Sequence, residues 1–296
     1  MLKTRKPGQP FFFWYGGNEP HRSYAERSGF NQGKKKLEDV DVPDFLPDTK
    51  DVRHDFLDYS YELDWFDSHL GKMMSHLEAI GELENTVIIA LGDHGDAFGE
   101  NGLNHHSFVP YDNVTHIPLV VWGPDVLTPE RLGRPAVPGS QLTGLRHSTD
   151  IMPTLLSLLG WGWPEGSLPG RPLFELEGHP SVISSCLSPN HCMSMRDEKY
   201  KYVQHEWFLD GLPEVYDLSK DPGERVNLAS TLPEPFLREK QLQMWSAKEQ
   251  LIAQYEFTAR TKPHVELPEQ DQMTYARVLL QQRGHIPLKS GPMEDE

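Results

Sequence analysis

The chain is short of several things, and each shortage narrows its class. Among 296 residues there are two cysteines, Cys186 and Cys192. A disulfide framework is thereby excluded, and one short bridge between that pair is the most that oxidation can add. No apolar run approaches the roughly 18 residues that a membrane span requires. Basic residues are outnumbered, with 28 Lys and Arg against 44 Asp and Glu, for a formal charge of −16. Nucleic-acid binding needs a basic face, so that balance argues against such a partner. The opening MLKTRKPGQP is basic, but the aromatic run at 11–15 is too short for the apolar core of a signal peptide. Compartment is left open.

What is present suits a globular α/β chain of one large or two modest domains. Residues 51–80 place Phe56, Tyr59, Leu63, Phe66, Leu70, Met73, Leu77 and Ile80 at spacings of three and four. That is an amphipathic helix, with Gly81 just beyond it as a C-cap and its apolar stripe expected to pack against a sheet. The runs 10–15, 86–91 and 117–122 are apolar on both faces, as buried central strands are. Residues 25–50 read as a surface loop whose basic triplet, Lys34, Lys35 and Lys36, is a solvated face. A Pro- and Gly-rich connection covers 123–146, and a helix starts at Asp150 and stops at Gly160. Short antiparallel strands are predicted at 181–185 and 199–203, and helices at 232–256 and 269–283.

Chemistry concentrates where the run 86–91 ends in Gly92, Asp93, His94 and Gly95. In α/β proteins the carboxyl ends of sheet strands are where ligands bind. A hard oxygen ligand beside an imidazole, with His105, His106 and His116 downstream, points to a metal-assisted anion site.

Four pieces in order resemble the sulfatases of the alkaline phosphatase superfamily. The first is the Asp93-His94-Gly95 turn, with Gly99-Glu100-Asn101-Gly102, His106, Tyr111-Asp112 and His116-Ile117-Pro118-Leu119. The second is Glu19-Pro20-His21-Arg22-Ser23-Tyr24 after the run 10–15. The third is the helix start Asp150-Ile151-Met152-Pro153-Thr154-Leu155-Leu156. The fourth is Glu214-Val215-Tyr216-Asp217-Leu218, with Asp221-Pro222-Gly223-Glu224 and Asn227-Leu228. The likeness spans about residues 9–230 and is closest to heparan N-sulfatase-like members. Two family features are not in the chain: the paired aspartates of a first strand, and the Cys-x-Pro-Ser-Arg motif whose cysteine becomes formylglycine. Neither Cys186 nor Cys192 stands in such a motif. The chain therefore resembles the C-terminal part of a sulfatase.

The resemblance implies an α/β fold with a mixed sheet flanked by helices and a small antiparallel C-terminal subdomain. Residues 9–179 would belong to the catalytic domain and 180–285 to the subdomain, with a tail at 286–296. It implies hydrolysis of a sulfuric ester or sulfamate in a sulfated small molecule or glycan. The cofactors would be Ca2+, bound in part by Asp93 and His94, and a formylglycine supplied by sequence not in this chain. His21 and His106 would contact the anion and exchange protons with the leaving group, with His105 the competing neighbour of His106. His116 is expected to be structural, and Arg22 to brace the turn of His21. Asp96 and Glu100 read as loop solvation or as substrate contacts. Asn113-Val114-Thr115 spells a glycosylation sequon, unused beside such a site. Phosphomonoester or phosphodiester hydrolysis on the same fold, with Asp-His pairs on zinc, is the alternative, and a non-catalytic anion-binding remnant the third. Strands without partners would leave a sheet edge open to association.

Overall fold

The structure, a computed structural model, describes residues 5–6, 8–106, 110–123, 126–132, 139–164, 166–175, 177–186, 192–205 and 213–261. The helices are α1 (Ser28–Asn31), α2 (Lys50–Ala79), α3 (Asp112–Thr115), α4 (Pro129–Leu132), α5 (Ile151–Leu158) and α6 (Glu234–Thr261). The strands are β1 (Ile88–Leu91), β2 (Ala97–Phe98), β3 (Asn104–His105), β4 (Leu119–Trp122), β5 (Val182–Ser185), β6 (Cys192–Arg196), β7 (Tyr200–His205) and β8 (Glu214–Asp217). The α/β expectation holds, and the strand pairings among the described residues are antiparallel.

Helix α2 begins where Thr49 Oγ1 accepts from the Val52 N–H at 3.3 Å, an N-cap that satisfies one orphan donor. It ends at Gly81, whose φ of +71° suits a residue without Cβ. Part of its aromatic stripe packs on the β2–β3 ribbon. Phe56 stacks on Phe98 with ring centroids 5.4 Å apart, and Tyr59 meets the same ring edge-on at 4.7 Å. The buried Asp58 accepts from the N–H groups of Arg27 and Gly29, each at 2.8 Å. Gly29 lies so close that a Cβ there would stand 2.1 Å from Leu57 O. The loop at 25–50 therefore lies partly against α2, with α1 packed on it.

Strands β1 and β4 form a two-stranded ribbon, with Ile88 opposite Trp122 and Leu91 opposite Leu119. The run 10–15, expected as a buried strand, forms none. Phe12, Phe13 and Trp14 are 68%, 58% and 75% exposed. The outcome is uncovered apolar surface of a kind that marks interaction sites.

The C-terminal sheet has the order β5-β6-β7-β8. Period-two alternation gives it two faces. Met193, Met195, Tyr202 and Val215 face α6 and its buried Met244. Val203 and Tyr216 face the other way, toward Tyr111. Cys186 and Cys192 are disulfide-bonded across the start of the β5–β6 pair. Asn227 Oδ1 closes the turn after β8, accepting from Val215 N at 3.0 Å and Ala229 N at 2.9 Å. Helix 269–283 and the tail 286–296 lie outside the described residues.

Helix α5 starts as expected after a 3-10 turn, Ser148–Asp150, and Asp150 explains why. Its side chain is 0% exposed and accepts from His147 N at 2.8 Å, Arg171 N at 3.0 Å and His179 Nε2 at 2.8 Å. Burial alone would push this carboxyl up. The hydrogen bonds from His179, His147 and Arg171 outweigh it and hold Asp150 below its ordinary value of 3.8. A lowered carboxylate contributes stability that is present above 3.8 and lost as pH falls through the lowered value in the fold. Asp150→Asn is therefore expected to cost about 3 kcal/mol at neutral pH and to flatten the acid limb of stability against pH. Denaturant unfolding from pH 7 to pH 3 checks both, and an unchanged acid limb would show that Asp150 does not carry it.

Candidate functional site

The site is built on the carboxyl end of β1. Beyond Leu91 the chain is tied to the approach to β4: Gly92 N–H donates to Pro118 O at 3.2 Å, and Gly95 N–H to Val114 O at 2.8 Å. Gly95 has no alternative residue, because a Cβ there would stand 2.1 Å from Asn113 O. This close approach turns Asp93 and His94 outward. The Asp93 side chain is 93% exposed, its Oδ1 accepting from the His94 N–H at 2.9 Å.

Three of the predicted residues come together. The rings of His94 and His106 lie 4.5 Å apart by centroid, and those of His106 and His21 5.6 Å apart. They arrive from three directions: the β1 loop, the end of the β2–β3 hairpin and the turn after residue 20. A carbonyl only accepts, so His94 Nδ1, 2.9 Å from Gly95 O, carries a proton. His21 Nδ1 likewise donates to Arg22 O. In the neutral form of each ring the proton therefore sits on Nδ1, leaving the lone pair on Nε2. His106 Nδ1 lies 3.5 Å from Asp96 Oδ1.

Arg22 is engaged on its own side of the turn. Its guanidinium pairs with both oxygens of Asp55, NH1 at 2.6 Å from Oδ1, and lies over the rings of Tyr24 at 4.7 Å and Phe98 at 5.6 Å. The Asp55 hydrogen bonds raise its proton affinity, against burial, and Asp96 adds to the rise. The geometry is that of a brace. Glu100 also turns inward, accepting from Phe98 N at 2.6 Å.

Asp93 and His94 meet the chemistry of a cation site in part. An exposed carboxylate suits a hard cation, and an imidazole whose Nδ1–H is held by a carbonyl presents Nε2 in the manner of metal-binding histidines. Among the described residues no group of three or more His, Cys, Asp or Glu gathers around them. Two donors fit as a portion of a ligand set.

One other expectation needs correction. His116, read as a packed polar group, is exposed at the end of α3. The His105 backbone pairs with Ala97. The Asn113 carboxamide is buried, with neither polar atom hydrogen-bonded among the described residues, so the folded sequon is closed to modification. The residue that sequence reading left undecided and the structure draws in is Asp96. Its signal, a carboxylate two residues past the Asp-His pair, is also the commonest kind of loop solvation.

The floor beneath the loop belongs to the C-terminal sheet. Lys201 is buried, with Nζ 2.8 Å from Asp112 Oδ1 and 2.9 Å from Glu224 Oε1. Glu224 Oε2 accepts from Asp112 N at 2.6 Å, and Tyr111 donates its hydroxyl proton to Glu214 Oε2 at 2.8 Å. Burial, with Glu214 beside it, pushes the Tyr111 phenol well up.

Comparison with known proteins bears on this geometry. Residues 1–161 match the family model described as Sulfatase. Arylsulfatase K of Xenopus laevis is 26% identical over 282 residues, covering 76% of this chain and 49% of that protein. Delta 4,5-hexuronate-2-O-sulfatase of Bacteroides thetaiotaomicron is 31% identical over 159 residues, 49% of this chain and 31% of that protein. The chain spans about half the length of the arylsulfatase K it matches, or less. A structure solved in complex with its substrate D-glucosamine-2-N,6-O-disulfate superposes with a TM-score of 0.56 at 21% identity, over 76% of this chain and 45% of that one. A putative sulfatase of Bacteroides fragilis gives 0.59 at 18% identity, over 81% and 53%. At these identities the structures speak to fold.

Two substitutions separate what holds the loop from what it displays. Gly95→Ala is expected to cost more than about 2 kcal/mol, since backbone must move to admit the methyl group. Asp93→Ala, at an exposed carboxylate, is expected to stay within about 0.5 kcal/mol of the parent. Paired denaturant melts test this, and a neutral Gly95→Ala would refute the close approach to Asn113.

Proposed function

We propose that this chain, which belongs to the sulfatase family, supplies the histidines and part of the calcium site of a sulfuric ester or sulfamate hydrolase. The observation that carries the reading is the convergence of His21, His94 and His106 beside Asp93, inside the stretch that matches the family. Hydrolysis at sulfur means working against anionic oxygens, so the site must gather positive charge and move a proton to the leaving oxygen. His21 and His106 do both: imidazole ionises near neutrality, and one ring nitrogen binds an oxygen while carrying the proton to be passed on. Asp93 and His94 would hold the calcium ion, which when bound offsets the charge of the sulfate oxygens. Neither cysteine is a nucleophile, since Cys186 and Cys192 are bonded to each other. The formylglycine of the family is sought outside this chain.

The substrate proposed is a sulfated small molecule or glycan. The relative named for a hexuronate 2-O-sulfate and the neighbour solved with a disulfated glucosamine support that class. Association through the uncovered run at 12–14 belongs to the same proposal. A second reading, phosphoester hydrolysis, has its own support: a phosphonate monoester hydrolase of Agrobacterium radiobacter superposes with a TM-score of 0.50 at 21% identity, over 72% of this chain and 43% of that one. An Asp-His pair also suits zinc.

The chain alone is expected to show no turnover of an aryl sulfate and yet to bind the ions. Calcium should stabilise it by the linkage increment, about 2.7 kcal/mol at a hundred times Kd, and so raise its melting temperature. Asp93→Asn should remove that increment. Sulfate should move the ring resonances of His21 and His106, and His21→Ala or His106→Ala should cut turnover roughly 100-fold in a complete enzyme. Turnover by the lone chain that Cys186→Ala abolishes, or a response to phosphate and zinc with none to sulfate and calcium, would overturn the reading.

A further inference from the structure

We infer that Asp96 is the positioning residue of His106, fixing the proton on Nδ1 and with it the rotation of the ring; this rests on the sulfatase reading of the site. Four observations carry it. The Asp96 side chain is 15% exposed, and its Oδ1 is buried with no hydrogen bond among the described residues. A buried carboxylate oxygen without a partner costs on the order of 1–3 kcal/mol or more, so a nearby donor is strongly favoured. His106 Nδ1 stands 3.5 Å from that oxygen, a small ring rotation from a hydrogen bond. The third observation is register. Phe98 pairs with Asn104 and Ala97 with His105 across the β2–β3 hairpin. The next cross-strand pair in that antiparallel register is Asp96 with His106, so the hairpin itself sets the two side chains opposite each other.

The fourth concerns the other neighbours. Arg22, whose guanidinium is influenced by Asp96, is already paired with both oxygens of Asp55. Asp96 is thus not the counter-ion that Arg22 needs. A carboxylate accepts and does not donate, so its partner nitrogen must be N–H. That fixes the tautomer, as a carboxylate does behind a catalytic imidazole. His21 and His94 reach the same tautomer through carbonyls, Arg22 O and Gly95 O. All three imidazoles of the cluster then share one tautomer, each set by an acceptor behind it.

Long-range proton–nitrogen NMR correlation of the histidine rings tests this on the chain as it stands, at mildly alkaline pH where imidazole is neutral. The wild-type His106 is expected to be the Nδ1–H tautomer. Asp96→Asn, whose amide can donate to Nδ1, is expected to shift it toward Nε2–H. Asp96→Glu should restore the wild-type tautomer in part. A wild-type ring protonated on Nε2 overturns the inference, whether or not any variant folds. A tautomer unchanged in a folded Asp96→Asn also overturns it, and leaves the sulfatase reading standing if sulfate still binds. Sulfate that moves no imidazole in the wild type removes the sulfatase reading, while the tautomer still decides the role of Asp96.

Discussion

Lys201 is the second residue of β7, 1% exposed, with its ammonium between Asp112 and Glu224. Taking an ammonium out of water costs several kcal/mol, and only close partners repay it. Asp112 also receives Arg196 Nε at 3.4 Å, so two cations and two carboxylates balance in one cluster. Burial pushes the Glu224 carboxyl up while Lys201 draws it down. Glu224 in addition accepts from the Asp112 N–H, so the first residue of α3 is fixed at side chain and backbone together. From there the path to the site is short. Gly95 N–H bonds Val114 O within α3, and Gly95 is the residue after His94. An apolar cluster of equal volume would bury as well, but a hydrogen-bonded ionic one dictates which residue of α3 meets which residue of β7. The C-terminal sheet is in this sense the floor on which the loop after β1 is registered.

That floor was the least legible part of the sequence. The four strands are short, and the alternation that makes Tyr202 face α6 sends Lys201 to the opposite side, where a lysine reads as solvent-exposed. Nothing local tells a reader that Asp112, 89 residues earlier, waits for it. Long periodic elements were legible for the opposite reason. Helix α2 carries its signal in thirty residues of its own sequence, with Thr49 and Gly81 as punctuation, and was placed within one residue at either end. A stripe of Phe and Tyr declares burial without naming which strand covers it, and Phe98 of β2 is what the fold supplies. The run 10–15 is different: its composition suggests a strand, and whether a strand forms depends on long-range pairing that composition does not encode.

The candidate site shows the same division. Asp93, His94, His21 and His106 were legible because each stands in a motif with fixed spacing. That the His106 ring lies within 6 Å of both His94 and His21 follows only from the fold. His116 was misread because a histidine next to a strand start suggests burial, whereas the C-terminal end of a one-turn helix such as α3 faces water. Asp96 was illegible because its role lies in cross-strand register, which two-residue strands do not announce.

Charge gives the arrangement its logic. A chain with a formal charge of −16 is a poor host for an anion unless the local balance at the site is reversed. The obvious cation beside the cluster, Arg22, does not reverse it, since Asp55 already neutralises it and the rings of Tyr24 and Phe98 flank it. Under the proposed reading, positive charge must come from the imidazoles and from a cation at Asp93 and His94. Both sources are conditional, one on protonation and the other on binding. A site charged in this way does not hold a standing positive field that would trap product sulfate. It becomes attractive to an oxyanion when the proton and the metal are in place, and weakens when either leaves. The rigid elements then have one task, to keep three rings and one carboxylate in register while their charge changes. The Lys201 cluster, with its ammonium and Glu224 buried and its charges balanced internally, is suited to that task because its own balance does not depend on what the site has bound.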